Sequence, residues 1–466
     1  MKILFSCTLL LSAFMVFSQF PIGSRTITYN DPTRSGGTGS GGGPGRQIEC
    51  AVYYPATSAG NNTPVANGTF PVVVFGHGFA MQWSAYQNIW EQLTPQGYIL
   101  IFPKTEAGIL PAPSHNDFGL DLVVACNRIV SDNDNQSSPF YQKVENKIAI
   151  MGHSMGGGAT MLAAENNSNI KTIIGLAPAE TNPSAIAVTS NIVVPALILS
   201  GSADGVTPPT EHHQPIYNGI SAPCKYFVSI TGGAHCYFAN SNAACDFGES
   251  TSSTGITISR AVQQAHMNSL ITPWLNFYLK GDCAGFNQFL NASNAPGLVN
   301  NNSCNYVPIT FEASTTDASP GQSNGSAFVS WMGGSFPVDF TWYNGSTNPE
   351  INNLAPGTYN FTITDAYCTL NASVTINDGT SGISHDETLR LQFSPNPTSD
   401  ALHIELPNNS FWQLTLSDAS GRYLAQQNTI NQSTMDWDLS HFDSGIYFIT
   451  ALNNSGQVYF ERIIKN

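Results

Sequence analysis

Between about residues 45 and 280, short apolar runs alternate with stretches of helical character. Residues 71–75, 98–102, 147–151, 172–177, 196–200 and 225–230 read as buried strands, and 118–130, 157–165 and 258–279 as helices. A strand apolar at every position has no wet face, so helices must cover both sides of its sheet. The pattern predicts an α/β fold with a doubly wound, mostly parallel sheet, spanning 19–305. The run 36–45, Gly-Gly-Thr-Gly-Ser-Gly-Gly-Gly-Pro-Gly, reads as a flexible loop that cannot pack. Past about residue 305 the period changes. Phe328-Val329-Ser330-Trp331 and Val338-Asp339-Phe340-Thr341-Trp342 alternate apolar with polar between Gly, Asn and Pro turns. Two small all-β sandwich modules follow from this, at 306–378 and 391–466, joined by a polar linker at 379–390.

The first 18 residues stand apart. Lys2 precedes an apolar run from Ile3 to Phe17, and Ser18 ends it with a small residue. This is the pattern of a signal peptide, too short to span a bilayer, and no other stretch reads as a span. Charged residues are 10% of the 466, and the net charge is −15, which argues against nucleic acid or an anionic membrane as partner. A secreted, soluble monomer is expected. Export makes disulfides available to the eight cysteines beyond Cys7. Cys236 with Cys245, and Cys283 with Cys304, bracket short polar loops and read as local disulfides; Cys50, Cys126, Cys224 and Cys368 are left open. No cysteine–histidine cluster has metal-ligand spacing, so no metal and no organic cofactor are expected.

Two copies of Gly-x-Ser-x-Gly occur. Gly321-Gln322-Ser323-Asn324-Gly325 sits among β-turn residues with no helix after it, and is set aside. Gly152-His153-Ser154-Met155-Gly156 follows the apolar strand 147–151 and enters the helix-forming run 157–165. A strand that turns into a helix through one residue strains that residue's backbone and lifts its hydroxyl above the sheet. A serine of ordinary acidity then needs a base, and the base needs an orienting carboxylate. Asp204 follows the strand 196–200 and His235 follows 225–230, each just past a strand's C-terminal end, as Ser154 is. The competing His212 and His213 read as a solvated pair at a helix start. His77 reads as structural.

Acyl transfer also requires two donors for the oxyanion. One is the backbone N–H of Met155, after the nucleophile; the other is that of Phe79, in Gly76-His77-Gly78-Phe79 after the strand 71–75. Between residue 177 and about residue 193 there is too little chain for a lid, so an open site is expected.

Phe75-Gly76-His77-Gly78-Phe79, Met151-Gly152-His153-Ser154-Met155-Gly156-Gly157-Gly158, Val194-Pro195-Ala196-Leu197-Ile198 and His213-Gln214-Pro215-Ile216-Tyr217-Asn218 resemble the bacterial cutinase and polyester (PET) hydrolase group of dienelactone-hydrolase-like α/β-hydrolases. The resemblance covers roughly residues 45–280. It implies an α/β-hydrolase fold, the triad Ser154, Asp204 and His235, and aryl contacts from Phe79 and Met155 besides their oxyanion role. Where that group typically carries Trp, this chain has Ala179; Trp83, Tyr237 and Phe238 are candidates to line a substrate cleft instead. The segment from Gly321 to Cys368 resembles SprB-type Ig-like repeats of Bacteroidota surface proteins. There a second cysteine is common, and its absence here leaves Cys368 expected to be unpaired. Phe393-Ser394-Pro395-Asn396-Pro397, Gly421, Gly445-Ile446-Tyr447-Phe448 and the ending Arg462-Ile463-Ile464-Lys465 resemble the type IX secretion sorting domain, which implies that machinery as a partner.

The expectation is a secreted carboxylic-ester hydrolase acting on an ester or polyester through an acyl-enzyme. The alternatives are a small-ester or lipid-type esterase with little polyester activity, and a non-catalytic surface adhesin on a hydrolase fold.

Overall fold

The apolar runs form the middle of one eleven-stranded sheet. In chain order the strands are β1 (Ile22–Asp31), β2 (Gly37–Thr38), β3 (Arg46–Pro55), β4 (Gly60–Asn61), β5 (Phe70–Gly76), β6 (Ile99–Pro103), β7 (Val144–His153), β8 (Thr172–Leu176), β9 (Ala196–Gly201), β10 (Cys224–Ile230) and β11 (Leu298–Cys304). The computed structural model describes residues 19–165, 167, 169–379, 391–406, 412–429, 432–453 and 458–466. The signal peptide, and the linker beyond residue 379, lie outside the described residues.

The spatial order is β11-β10-β9-β8-β7-β5-β6-β3-β1-β4, with β2 beside β3. Strands β10 through β6 run parallel, while β3, β1 and β11 join antiparallel. The parallel strands β5, β6, β8 and β9 are buried at every position, as their composition demands. By contrast β1 and β11 are largely half-buried or exposed, so no continuous apolar run marked them.

Among the described residues eight α-helices accompany this sheet: α1 (Gln87–Leu93), α2 (His115–Asp134), α3 (Met155–Ala164), α4 (Ala185–Val188), α5 (His213–Gly219), α6 (Ala243–Ser252), α7 (Arg260–Lys280) and α8 (Cys283–Ser293). Their ends follow capping chemistry. The Ser114 hydroxyl accepts from Asp117 N–H to open α2, Ser259 does the same for α7 from Val262 N–H, and Gly281 closes α7 in the left-handed region. Between β8 and β9 the chain forms the four-residue α4 and a short 3₁₀ turn.

The glycine run is ordered, which corrects the expectation of a loop that cannot pack. Gly37 pairs with Gln47, and a Cβ on Gly37 would sit 1.9 Å from Gln47 O at a φ of +88°. Gly42 N–H donates to Gln47 Oε1, and Asn30 Nδ2 to Pro44 O.

The cysteine pairing also differs in part. Cys236–Cys245 forms as expected, but Cys304 bonds to Cys224, directly across the β10–β11 ladder, and not to Cys283. Cys368, expected to be unpaired, is disulfide-bonded. Cys50 and Cys126 are buried free thiols.

The chain divides into two units, residues 1–306 and 307–466. In the second unit, two three-stranded antiparallel sheets, 310–354 and 339–376, face each other through Trp331 on Phe340 and Phe311 on Phe361. From residue 392 onward a three-stranded and a four-stranded sheet enclose Leu402, Ile404, Trp412, Leu414, Trp437 and Ile449. The second Gly-x-Ser-x-Gly copy is an exposed turn leading into the strand Gly325–Met332.

Candidate active site

Strand β7 passes into α3 through Ser154 alone, and Ser154 has φ 56° and ψ −122°. For a residue with a Cβ this is costly backbone, and it persists because the surroundings hold it. Ser154 N–H donates to Leu176 O at 3.0 Å; its carbonyl accepts from Gly158 N–H at 3.0 Å and Ala179 N–H at 2.9 Å. The turn closes only with small neighbours: a Cβ on Gly156 would lie 2.1 Å from Gly76 O.

Asp204 lies in the turn after β9 and His235 in the turn after β10. Parallel pairing of these strands, with Ile230 opposite Gly201, brings the two turns together. His235 Nδ1–H donates to Asp204 Oδ2 at 2.7 Å, which leaves Nε2 as the basic nitrogen. Asp204 Oδ1 accepts from Val206 N–H at 2.9 Å and Thr207 N–H at 2.8 Å. Burial works to raise this carboxyl's pKa, but His235, His213 and the Thr207 N–H together hold it below the usual carboxylate range.

His153 ties this pair to the elbow. Its ring centroid lies 4.7 Å from that of His235, and its Nε2–H donates to His235 O at 3.0 Å. The Tyr86 hydroxyl lies 2.9 Å from His153 Nδ1 and accepts from Gly78 N–H at 2.8 Å. One phenol thus bridges the loop after β5 and the elbow. Burial drives the His153 pKa well below the ordinary imidazole value, so its ring stays neutral.

On the other side of that loop, His77 Nε2 lies 2.8 Å from Thr105 O, and the Thr105 hydroxyl donates to Asp121 Oδ2 at 2.6 Å. Asp121 is fully buried and paired with both Arg34 and Arg46, and Arg46 also reaches Glu106. His77, read as structural from the sequence, is buried in this network.

Phe79 follows Gly78 and is 49% exposed. Met155 opens α3, where N–H groups have no intrahelical partner, while its side chain is packed in the core. The cleft candidates separate. Ala179 adjoins Ser154 through its backbone. Trp83 is engaged elsewhere: its indole donates to the Tyr53 hydroxyl at 3.3 Å, and Lys104 Nζ sits 4.4 Å from its ring. Tyr237 is half-buried under the Arg260 guanidinium, and Phe238 is fully buried behind His153.

Sequence reasoning misjudged the histidine pair. His212 Nδ1 accepts from Glu180 N–H at 2.9 Å, and His213 is fully buried with Nε2 3.7 Å from Asp204 Oδ2. The missed signal is helical phase: His213, Ile216 and Tyr217 stand at i, i+3 and i+4 on the buried face of α5. Thr207 and Ser200, which also contact this cluster, carried no sequence signal of their own.

A strained serine on a strand–helix turn, with a buried acid–histidine pair past two neighbouring strands, defines an α/β-hydrolase. Comparison with known proteins narrows the class. A family model described as PET hydrolase-like matches residues 26–258, half of the chain. A model of the secretion system C-terminal sorting domain matches residues 392–466. The chain belongs to the PET hydrolase-like family, and its tail marks it for export to the cell surface or beyond. Cutinase est2 of Thermobifida alba is 26% identical over 215 residues, 46% of this chain and 63% of that protein. A cutinase of Thermobifida fusca (strain YX) is 25% identical over 215 residues, 46% of this chain and 63% of that protein. The bis(hydroxyethyl) terephthalate hydrolase of Streptomyces coelicolor is 26% identical over 199 residues, 42% of this chain and 56% of that protein. The chain thus spans less than two thirds of the length of these relatives. Among the described residues, no helix is long and apolar enough to cross a membrane.

Proposed function

We propose that the protein is a secreted serine esterase of the cutinase and polyester hydrolase type. The observation that carries this reading is the buried 2.7 Å pair of His235 with Asp204 beside the strained elbow at Ser154. Ser154 Oγ attacks the ester carbonyl as His235 Nε2 takes its proton. The oxyanion that forms is met by the N–H groups of Phe79 and Met155. The bond to the alcohol then breaks, and the His235 proton leaves with the alkoxide. Water, deprotonated by the same nitrogen, attacks the acyl-enzyme; the acid departs and Ser154 regains its proton. Asp204 keeps the imidazole in the Nδ1–H form throughout. These steps need neither a metal nor an organic cofactor.

Substrate is the finer question. The names of the relatives favour polyester or cutin-like esters. A small-ester esterase is favoured by one observation: of Phe79, Trp83, Tyr237 and Phe238, Phe79 alone is exposed.

A fluorophosphonate probe should label Ser154 covalently, and Ser154→Ala should abolish both labelling and turnover of a nitrophenyl ester. Retained turnover in that variant would remove the mechanism, and an unlabelled, inactive wild type would favour an adhesin. Product release from polyester film then decides between the two ester classes, since a small-ester enzyme yields none.

A further inference from the structure

Asp204 serves more than one histidine. The Thr207 hydroxyl lies 3.1 Å from Asp204 Oδ2, 2.9 Å from His235 Nδ1 and 3.0 Å from His213 Nε2. His213 Nδ1 in turn lies 2.8 Å from Ser200 Oγ. All of these groups are buried. The partners fix the direction of each bond. Two oxygens 3.1 Å apart, one of them a carboxylate, repel unless a proton lies between them, so Thr207 donates to Asp204. Its lone pair must then receive His213 Nε2–H. His213 Nδ1, left without a proton, accepts from the Ser200 hydroxyl. The relay runs one way: Ser200 to His213 to Thr207 to Asp204.

We infer that His213, acting through the Thr207 hydroxyl, is a positioning residue that tunes Asp204 for its partnership with His235. The inference rests on the proposed triad. Asp204 Oδ2 receives both Thr207 O–H and His235 Nδ1–H. The Thr207 proton draws charge from that oxygen and makes it a weaker partner for a protonated His235. The His213 N–H, by filling a Thr207 lone pair, commits the Thr207 proton to Asp204. Burial holds His213 uncharged down to about 3, so it acts as a neutral dipole over the working pH range. The other groups around His235 are His153 from the end of β7, Glu249 of α6, which accepts from Cys236 N–H, and Arg260 of α7, which donates to Cys236 O. His212 faces His213 from the start of α5. None of these touches Thr207 among the described contacts.

The test is the pH dependence of kcat and KM on a soluble nitrophenyl ester, using the full chain. Thr207→Val keeps the shape and removes the proton. Asp204 then favours protonated His235, and the midpoint of the acidic limb should rise by about half to one pH unit. The plateau kcat should fall about three- to tenfold, because Asp204 Oδ2 loses one of the two bonds that aim it at His235, with KM changed less than about twofold. Thr207→Ser should restore both. His213→Ala should shift the midpoint as Thr207→Val does, and His213→Gln, which can still donate to Thr207 and accept from Ser200, should shift it less. An unshifted midpoint in folded Thr207→Val overturns the inference, whatever the fate of His213→Ala. So does an equal shift in Thr207→Ser. A wild type that neither labels with fluorophosphonate nor turns over ester overturns the function itself, and with it this role.

Discussion

Removing one oxygen atom, in Tyr86→Phe, should loosen two loops of the proposed active site at once. The phenol is fully buried, and burial raises its pKa far above the ordinary value, so it carries its proton at every working pH. It accepts from Gly78 N–H at 2.8 Å and donates to His153 Nδ1 at 2.9 Å. Phenylalanine leaves both partners buried and unmatched. Each of the two unsatisfied groups costs about 1–3 kcal/mol, and a hydroxyl that no longer has to be buried recovers about 1 kcal/mol, so a net loss of about 1–5 kcal/mol is expected. The kinetic effect should exceed what stability alone implies. Gly78 precedes Phe79, the proposed oxyanion donor, and His153 supports the backbone of His235 through its other nitrogen. A fall in kcat/KM of about tenfold follows, carried mainly by kcat, because geometry at the reacting centre is lost rather than substrate binding. Urea unfolding, monitored by loss of activity and tryptophan fluorescence, measures the first quantity, and nitrophenyl ester kinetics the second. A variant within about 0.5 kcal/mol and twofold of wild type would refute the claim that this phenol couples the loops.

Three other outcomes are expected. Gly156→Ala sets a methyl 2.1 Å from Gly76 O and 2.6 Å from His77 O, and backbone on both sides cannot rotate away. It should destabilise by about 3 kcal/mol or more and abolish fluorophosphonate labelling, and a folded, labelled variant would count against the close approach. Asp121→Asn removes the countercharge of the part-buried Arg34 and the buried Arg46 and should cost about 3 kcal/mol in urea unfolding; a loss under about 1 would mean that the network is inert. Burial lowers the pKa of His77, His153 and His213, the last to about 3. The unfolded chain takes up these protons near pH 6.5 and the folded chain refuses them, so stability should fall as pH drops below about 6.5. Three protons give a slope of at most roughly 4 kcal/mol per pH unit, and a urea midpoint flat from pH 7 to pH 5 would contradict it.

Much of this molecule was legible because the deciding physics is local. Continuously apolar strands between amphipathic helices admit a covered parallel sheet and little else. The elbow is a strand, one residue and a helix, with glycines wherever a Cβ would strike backbone, and all of that lies within a dozen consecutive residues. The order of Ser154, Asp204 and His235, each just past a strand, follows from the same pattern. Strands that are only partly covered carried no such mark: β1 and β11 escaped notice, and with β11 went the true partner of Cys304. Cys224 meets Cys304 because an antiparallel strand returns along β10, a register set by a whole ladder and not by the short loop that made Cys283 attractive. His213 shows the same boundary. Its helical phase is legible in the sequence, but the contact of the Thr207 hydroxyl with it, Asp204 and His235 exists only where the turns after β9 and β10 meet. Sequence by itself determined the fully covered strands, the elbow, and the places of Asp204 and His235 just past two of those strands. Tertiary structure decided which neutral groups lie against that pair, because hydrogen-bond partners are chosen by distances among residues that the chain brings together from far apart.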